Sequence, residues 1–543
     1  MQTYWSQVLV VGGGATGVGI LRDLSLRGIP ALLLEQGDLA HGTSSRFHGL
    51  LHSGARYAVS DPEAASECAR ENEILKKIAP NCIVDSGGWF VQTADDDPAY
   101  TEKWYKKCVE AGIQVREIPL AEAWQQEPLL SRGIKRVFEV PDAAVDGFKL
   151  VWANAKSALR TGGEYKTYHR VERLLREGNR IIGAAGRSTL SGEEFVAWGQ
   201  LVINASGAWA SAVAESAGIS LDIIRDKGAL LAFNQRLFHR VINRLHKPGN
   251  GDIFVPHETI TILGTTSEFV QSAVSNEPTL EEVYTLMGIG KSLLPGIEHY
   301  RMIRAFAGVR PLYRGGKTAN ETGEGGEEGR EVSRNFALID HEAEQGITGF
   351  LSVVGGKFTT YRLMAEKAAD WAAGKIGNAA PCRTDSESLV PEIPESLYQE
   401  AFRLLPFGAA EKMLNRLGPE ADSVVAEIRR DPRKSQMLCE CEMISLAEVE
   451  KVVVNPDVHS LSDVRRQTRL GMGTCQGAFC SYRALPLLGA ATGKYAPLKE
   501  ELMDFLNRRW KGIRPVLWGH QLRETELARA IYAGLLNLQD SQE

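Results

Sequence analysis

At 543 residues the chain exceeds what one ordinary core supports, and it is long enough for two to four domains around a large ligand. Hydrophobic residues make up 43% and charged residues 24%, the balance of a soluble globular protein, and no charge-free apolar run reaches the roughly 18 residues that a membrane-spanning helix needs. The formal net charge of −6 excludes general nucleic-acid binding, which requires a concentrated basic face.

The first predicted elements are the strand QVLVV, a tight turn opening a helix in GGGATGVGI that continues to Arg27, and a second strand, ALLLE, ending at Glu35. This is a βαβ unit. Gly12, Gly14 and Gly17 give GxGxxG in that setting: the first permits the turn, the second lets backbone approach a pyrophosphate, and the third lets helix pack on strand. Glu35 stands 18 residues beyond Gly17, placed to accept ribose hydroxyls. The N-terminal stretch lacks the basic flank and cleavage site of a secretory signal, so a cytoplasmic location is expected. GIGKS at 288–292 imitates a phosphate loop, but Thr285 occupies the position of its first glycine.

Strand patterns recur in QLVINA before SGAW and in FLSVVGGKFTTYRLMAE, where a strand meets glycines and then a long helix. The expected fold is α/β (α+β), a Rossmann-like nucleotide-binding domain interleaved with a substrate-binding sheet over residues 1–380. A linker and helical segment follow over 381–433, then a cysteine-bearing domain over 434–490 and a helical tail over 491–543. The glycine- and glutamate-rich run between Arg314 and Arg334 reads as a mobile surface loop.

The glycine motif alone does not separate NAD from FAD. After Glu35, GDLAHGTSSRFHGLLHSGARY supplies small residues, hydroxyls and amides for an extended cofactor. With NASGAW, GTTS, AGVRPL, VSRNFALID and GGKFTTYRLMAE, in that order, the first 370 or so residues resemble the FAD-dependent glycerol-3-phosphate dehydrogenases of the D-amino-acid-oxidase-like superfamily. The resemblance implies FAD contacts from Thr43, Ser44, Ser45, Leu51, Val171, Gly207, Gly356 and Thr359, besides the glycines and Glu35. A phosphorylated substrate needs fixed cations, and the matching motifs offer Arg56, Arg310, Arg334 and Lys357. The resemblance implies that Arg310, Arg334 and Lys357 line the substrate pocket, with Arg310 and Lys357 near the flavin. His52 is either a proton acceptor or a structural support for the flavin loop, and His239 is a weaker base candidate.

Four of the eight cysteines, Cys68, Cys82, Cys108 and Cys382, are scattered and read as ordinary thiols. The other four fall within 42 residues as CxC, 33 intervening residues and CxxxxC, namely Cys439, Cys441, Cys475 and Cys480. Four thiolates suit zinc or an iron–sulfur cluster, and a flavin in the same chain favours [2Fe-2S] by giving a one-electron acceptor a use. Arg465, Arg466 and Arg469 stand near enough in sequence to offset cluster charge. The segment resembles the small helical domain of bacterioferritin-associated ferredoxin.

With the tail FLNRRWKGIRPVLWG included, the whole chain resembles the A-subunit family of anaerobic, respiratory glycerol-3-phosphate dehydrogenase complexes. That implies oxidation of sn-glycerol 3-phosphate to dihydroxyacetone phosphate, onward transfer through further flavin and iron–sulfur subunits to quinone, and peripheral attachment at the inner face of the cell membrane. The tail around Arg508, Arg509, Trp510 and Lys511 is either a docking element for a partner or anionic membrane, or a solvated helix. Three alternatives remain from the residues themselves: an FAD dehydrogenase of a 2-hydroxy acid or amino acid, a noncatalytic redox relay, and a zinc-stabilised scaffold.

Overall fold

The computed structural model describes residues 1–247, 249, 252–313, 335–493 and 498–538. Strand β1 (Gln2–Val11), helix α1 (Ala15–Leu26) and strand β2 (Ala31–Leu34) form the expected opening unit. β1 begins five residues before the apolar run QVLVV, because its exposed first half pairs in parallel with a later strand, Gln2 opposite Phe195. β1 and β2 run parallel, with Val11 beside Leu34, so both chains leave the sheet at the same edge. Val8 and Val10 enter the core under α1, while Leu9 and Val11 enter a core on the opposite face. A strand buried on both faces needs a continuous apolar run rather than alternation, and each such side chain contributes about 1.5–3 kcal/mol.

Among the described residues this sheet has eight strands, with β1 between β2 and Glu194–Asn204, and Phe350–Gly355 parallel on the far side of the latter. Glycines then lead into helix Tyr361–Ile376, which packs on α1; a methyl group at Gly19 would sit 2.9 Å from Ala365 Cβ. A second sheet, of nine strands among the described residues, is built chiefly on the antiparallel pair Ile223–Phe233 and Met302–Tyr313. Both sheets contribute residues to one cavity, described below. GIGKS starts in the last turn of helix Leu280–Gly290, not after a strand, so it has no phosphate-loop geometry.

Helices Glu395–Leu404, Phe407–Leu417 and Ala421–Arg430 share a small core of their own. The cysteine segment has another, in which Leu438, Val449, Val464 and Leu488 meet Leu502 and Phe505 from the C-terminal helix Leu498–Ile513. Among the described residues no helix is long and apolar enough to cross a membrane.

Candidate active site

The turn after β1 is held by close backbone contacts. Gly12 has φ +111°, in the region that favours glycine, and its N–H donates to Leu34 O at 2.8 Å. A Cβ on Gly17 would lie 1.8 Å from Gly12 O, so only glycine lets α1 start this close to the strand. Gly14 is the N-cap residue, without a side chain to cap the helix, and Ser44 Oγ instead accepts from Ala15 N at 2.9 Å. The helix start lines a cavity of about 610 Å³, with the positive end of its dipole toward an anion bound there. Glu35 lines the same cavity, accepting from Gly13 N at 2.6 Å and Gly37 N at 2.8 Å; burial pushes its carboxyl up while those amides oppose the shift. Its carboxylate thus braces the turn as well as facing the cofactor end of the cavity.

Thr43, Ser44, Val171, Gly207 and Gly356 line the same cavity, and so do Arg310, Lys357 and His52. Arg310 comes from Met302–Tyr313 and sits opposite Asp226 on the neighbouring strand. Its Nη1 donates to the buried Asp226 carboxylate at 2.5 Å and its Nη2 to Thr266 O at 3.1 Å and to Thr265. Lys357 Nζ lies 4.6 Å from the centre of the Tyr57 ring. The His52 ring stands 5.3 Å from Tyr57 and 5.9 Å from His48, and its backbone N–H donates to Thr359 Oγ1 at 3.0 Å. A helix start, a carboxylate, two cations and an imidazole, drawn from positions as far apart as Gly12 and Lys357, thus share one cavity.

Other expected residues sit elsewhere. Arg56, expected at the substrate, does not line this cavity; its guanidinium bonds both oxygens of Asp252 at 2.8 Å, and that pair holds the buried Asp252 carboxyl well below its usual range against the desolvation of burial. A partner 196 residues away cannot be inferred from HSGARY. Ser45 faces the adjoining cavity, Leu51 is buried behind the wall, and Thr359 acts from behind it by fixing His52. His239 is largely exposed and paired with Glu127, outside the cavity. Arg334 and the Arg314–Arg334 loop lie outside the described residues. The sequence reading missed Tyr57, although it lies in the quoted HSGARY; Asp226, the anchor of Arg310, carries no local signal.

The four clustered cysteines converge. Cys441 Sγ and Cys475 Sγ are 3.4 Å apart, and Cys439 lies against Cys441 and Cys480. These sulfur contacts push the Cys441 thiol down and the Cys439 and Cys475 thiols up, because thiols packed together share their protons. Gly473 keeps the turn tight, since a Cβ there would fall 2.5 Å from Cys441 Cβ. The arginines expected to offset cluster charge are engaged differently: Arg466 pairs with Asp38 and Asp463, Arg469 with Asp146 and Glu442, and Arg465 stands over Phe148. Arg509 of the tail takes the place beside the thiols. It is buried and donates to Gly471 O at 2.7 Å and to Gln476 O at 3.3 Å. The tail is therefore not a wholly solvated basic face, although Trp510 remains 41% exposed.

Residues 7–362 match the family model for FAD dependent oxidoreductases and residues 437–490 that for the BFD-like [2Fe-2S] binding domain. The chain is 40% identical to the A-subunit of the anaerobic glycerol-3-phosphate dehydrogenase of Escherichia coli K12, over 99% of this chain and 98% of that one. It belongs to the A-subunit family of anaerobic glycerol-3-phosphate dehydrogenases. The A1-subunit of the corresponding enzyme of Haloferax volcanii is 39% identical over 98% of this chain and 90% of its own. In fold, the chain is similar to the glycerol-3-phosphate dehydrogenase from Bacillus halodurans complexed with FAD, with a TM-score of 0.70 and 20% identity, covering 95% of this chain and 97% of that one.

The cofactors of this family member are FAD and a [2Fe-2S] cluster, and the residues present fit both. A helix start whose N-cap, Gly14, carries no side chain, glycines that admit close backbone approach, and Glu35 suit a dinucleotide. Four converging thiols suit an all-cysteine cluster.

Proposed function

We propose that this chain oxidises sn-glycerol 3-phosphate at C2 to dihydroxyacetone phosphate. The observation that carries the reading is that Arg310, Lys357 and His52 line one cavity with the start of α1, Lys357 and His52 both packed near Tyr57. Arg310 is fixed by Asp226 and the Thr265–Thr266 turn, so its guanidinium presents one orientation to an anionic substrate instead of searching several. Lys357, against the Tyr57 face, adds a second positive charge that offsets the negative charge growing on the substrate oxygen. His52, held by Thr359 through its backbone and flanked by Tyr57 and His48, accepts the C2 hydroxyl proton as the carbonyl forms. Bound FAD supplies the two-electron acceptor for the C2 hydride and can release those electrons singly. Cys439, Cys441, Cys475 and Cys480 would hold the cluster, which would supply a one-electron relay toward partner subunits and membrane quinone, with the chain attached peripherally.

Anaerobic titration of the purified protein with glycerol 3-phosphate, glycerol and 2-hydroxy acids, followed in the visible spectrum, tests this. Glycerol 3-phosphate should bleach the flavin. Arg310→Met should lower kcat/KM for it by roughly a hundredfold or more, the scale of one lost charge-assisted contact plus an unpaired Asp226. The loss with unphosphorylated glycerol should be much smaller if Arg310 holds the phosphate; equal losses would place it at the reacting oxygen. Bleaching by a hydroxy acid and not by glycerol 3-phosphate would end the assignment.

A further inference from the structure

Beside the flavin cavity lies a second one, of about 390 Å³, which the reaction above does not use. Segments far apart in sequence meet around it, among them residues 41–49 from the flavin side, the strand Met302–Tyr313 through Arg304, the helix Leu461–Thr468 with Arg469, and the helix Leu498–Ile513. His41 and Phe47 line both cavities, and Gln476, from the turn between Cys475 and Cys480, lines this one. The second cavity therefore occupies the ground between the flavin cavity and the thiol cluster.

Its charge is one-sided. Seven arginines and one lysine contribute to the wall, against two carboxylates, Asp146 and Glu277. Five of these cations are accounted for by bonds within the chain: Arg466 and Arg469 by the pairs given above, Arg508 by Asp504, Lys511 by Glu277, and Arg509 by the cluster turn. Arg46, Arg304 and Arg465 make no ion pair among the described residues, and Arg304 Nε is buried without a hydrogen-bond partner. Burial, then repulsion from Arg46, pulls the Arg304 group down to about 10, and Arg465 is lowered by burial and by Arg466, Arg304 and Arg46. His41 Nδ1 is likewise buried without a partner, and burial with three neighbouring arginines takes that ring down to about 3. Crowding like charges away from water is costly unless a counter-charge completes the site.

We propose that this cavity binds a phosphorylated anion, held by the guanidiniums of Arg46, Arg304 and Arg465 between the flavin cavity and the cluster. Three arginine forks match the charge and the several acceptor oxygens of a phosphate dianion better than a single carboxylate would. Phe47, Phe148, Phe306, Ile260 and Ile262 give the wall an apolar part that can take an organic body attached to the phosphate. Because the three arginines come from three different segments, the anion joins the flavin loop, the substrate-side sheet and the cluster segment. The inference does not depend on the substrate proposed above.

Calorimetric titration of protein loaded with FAD and cluster, using inorganic phosphate and phenyl phosphate in turn, provides the test. Binding is expected in wild type and in Arg310→Met, whose substitution lies in the other cavity, and should weaken about tenfold or more in Arg465→Met and in Arg46→Met. Tighter binding of phenyl phosphate identifies an organic ester as the ligand type, and equal binding identifies phosphate itself; either supports the site. If Arg465→Met disturbs the cluster spectrum, Arg46→Met on the flavin side decides alone. Binding abolished by Arg310→Met but untouched by Arg46→Met would move the anion to the flavin cavity and overturn the inference. So would absence of binding by both probes, which would mean that the cluster or an acidic group of another protein supplies the counter-charge.

Discussion

Replacing Gly17 by alanine sets a Cβ 1.8 Å from Gly12 O and 3.0 Å from Gly12 C, both backbone atoms. Ordinary contact begins near 3.4 Å, so α1 and the turn would have to separate by more than 1 Å. Gly12 cannot absorb that shift, since it is itself wedged against Ala205 and Ser206 and held at φ +111°. The cost belongs at the upper end of overpacking, about 3 kcal/mol. Gly14→Ala differs: its Cβ meets only Ser44 Oγ, at 3.0 Å, and that hydroxyl can rotate. The loss is at most its bond to Ala15 N, about 1 kcal/mol. Gly14 is spared for the cofactor's approach and Gly17 for the protein's own packing. Urea unfolding of the flavin-free protein and flavin retention on a desalting column separate the two roles. Gly17→Ala should unfold at clearly lower urea, whereas Gly14→Ala should stay near wild type in stability and lose flavin. Wild-type stability in Gly17→Ala, or wild-type flavin retention in Gly14→Ala, would refute the division.

Cys475→Ser should remove or strongly alter the cluster's visible and paramagnetic signals while glycerol 3-phosphate still reduces FAD in one anaerobic turnover; stoichiometric zinc without iron in protein purified without oxygen would exclude the cluster. Phe505→Ala should cost about 3–5 kcal/mol within the C-terminal core and speed removal of iron by a chelator, because Phe505 packs under the cysteine segment. Asp252 has its folded pKa depressed by Arg56 and His246, so its stabilisation is fully present above about pH 4, the unfolded value, and is lost as pH falls through the folded one. Asp252→Asn should therefore flatten the acid limb of a stability-against-pH curve and lower stability at neutral pH, where Arg56 loses its counter-charge.

The opening βαβ unit was legible because each part has a local cause: an apolar run buried on both faces, glycines at fixed offsets, and a carboxylate at the next strand end. The thiol set was equally legible from spacing. Arg56 was misplaced because its environment is set by Asp252, in a different strand neighbourhood, and sequence motifs do not encode which side of a loop a long side chain takes. Arg465, Arg466 and Arg469 were assigned together because they are adjacent in sequence, but on a helix successive residues point in different directions, and the three divide among separate partners. Arg509 went unrecognised for the converse reason, since its neighbours Arg508, Trp510 and Lys511 suggest an exposed patch.

The contact of the tail with the cysteine turn also sets how the thiols can be reached. Gly471 and Gly477 lie against the ring of Phe505, where added methyl groups would come within 3.2 and 2.9 Å, and Arg509 ties down the carbonyls of the same turn. The helix Leu498–Ile513 is thus a cover over the turn that carries Cys475 and Cys480, and removing it would strip the turn of both its apolar backing and its buried cation.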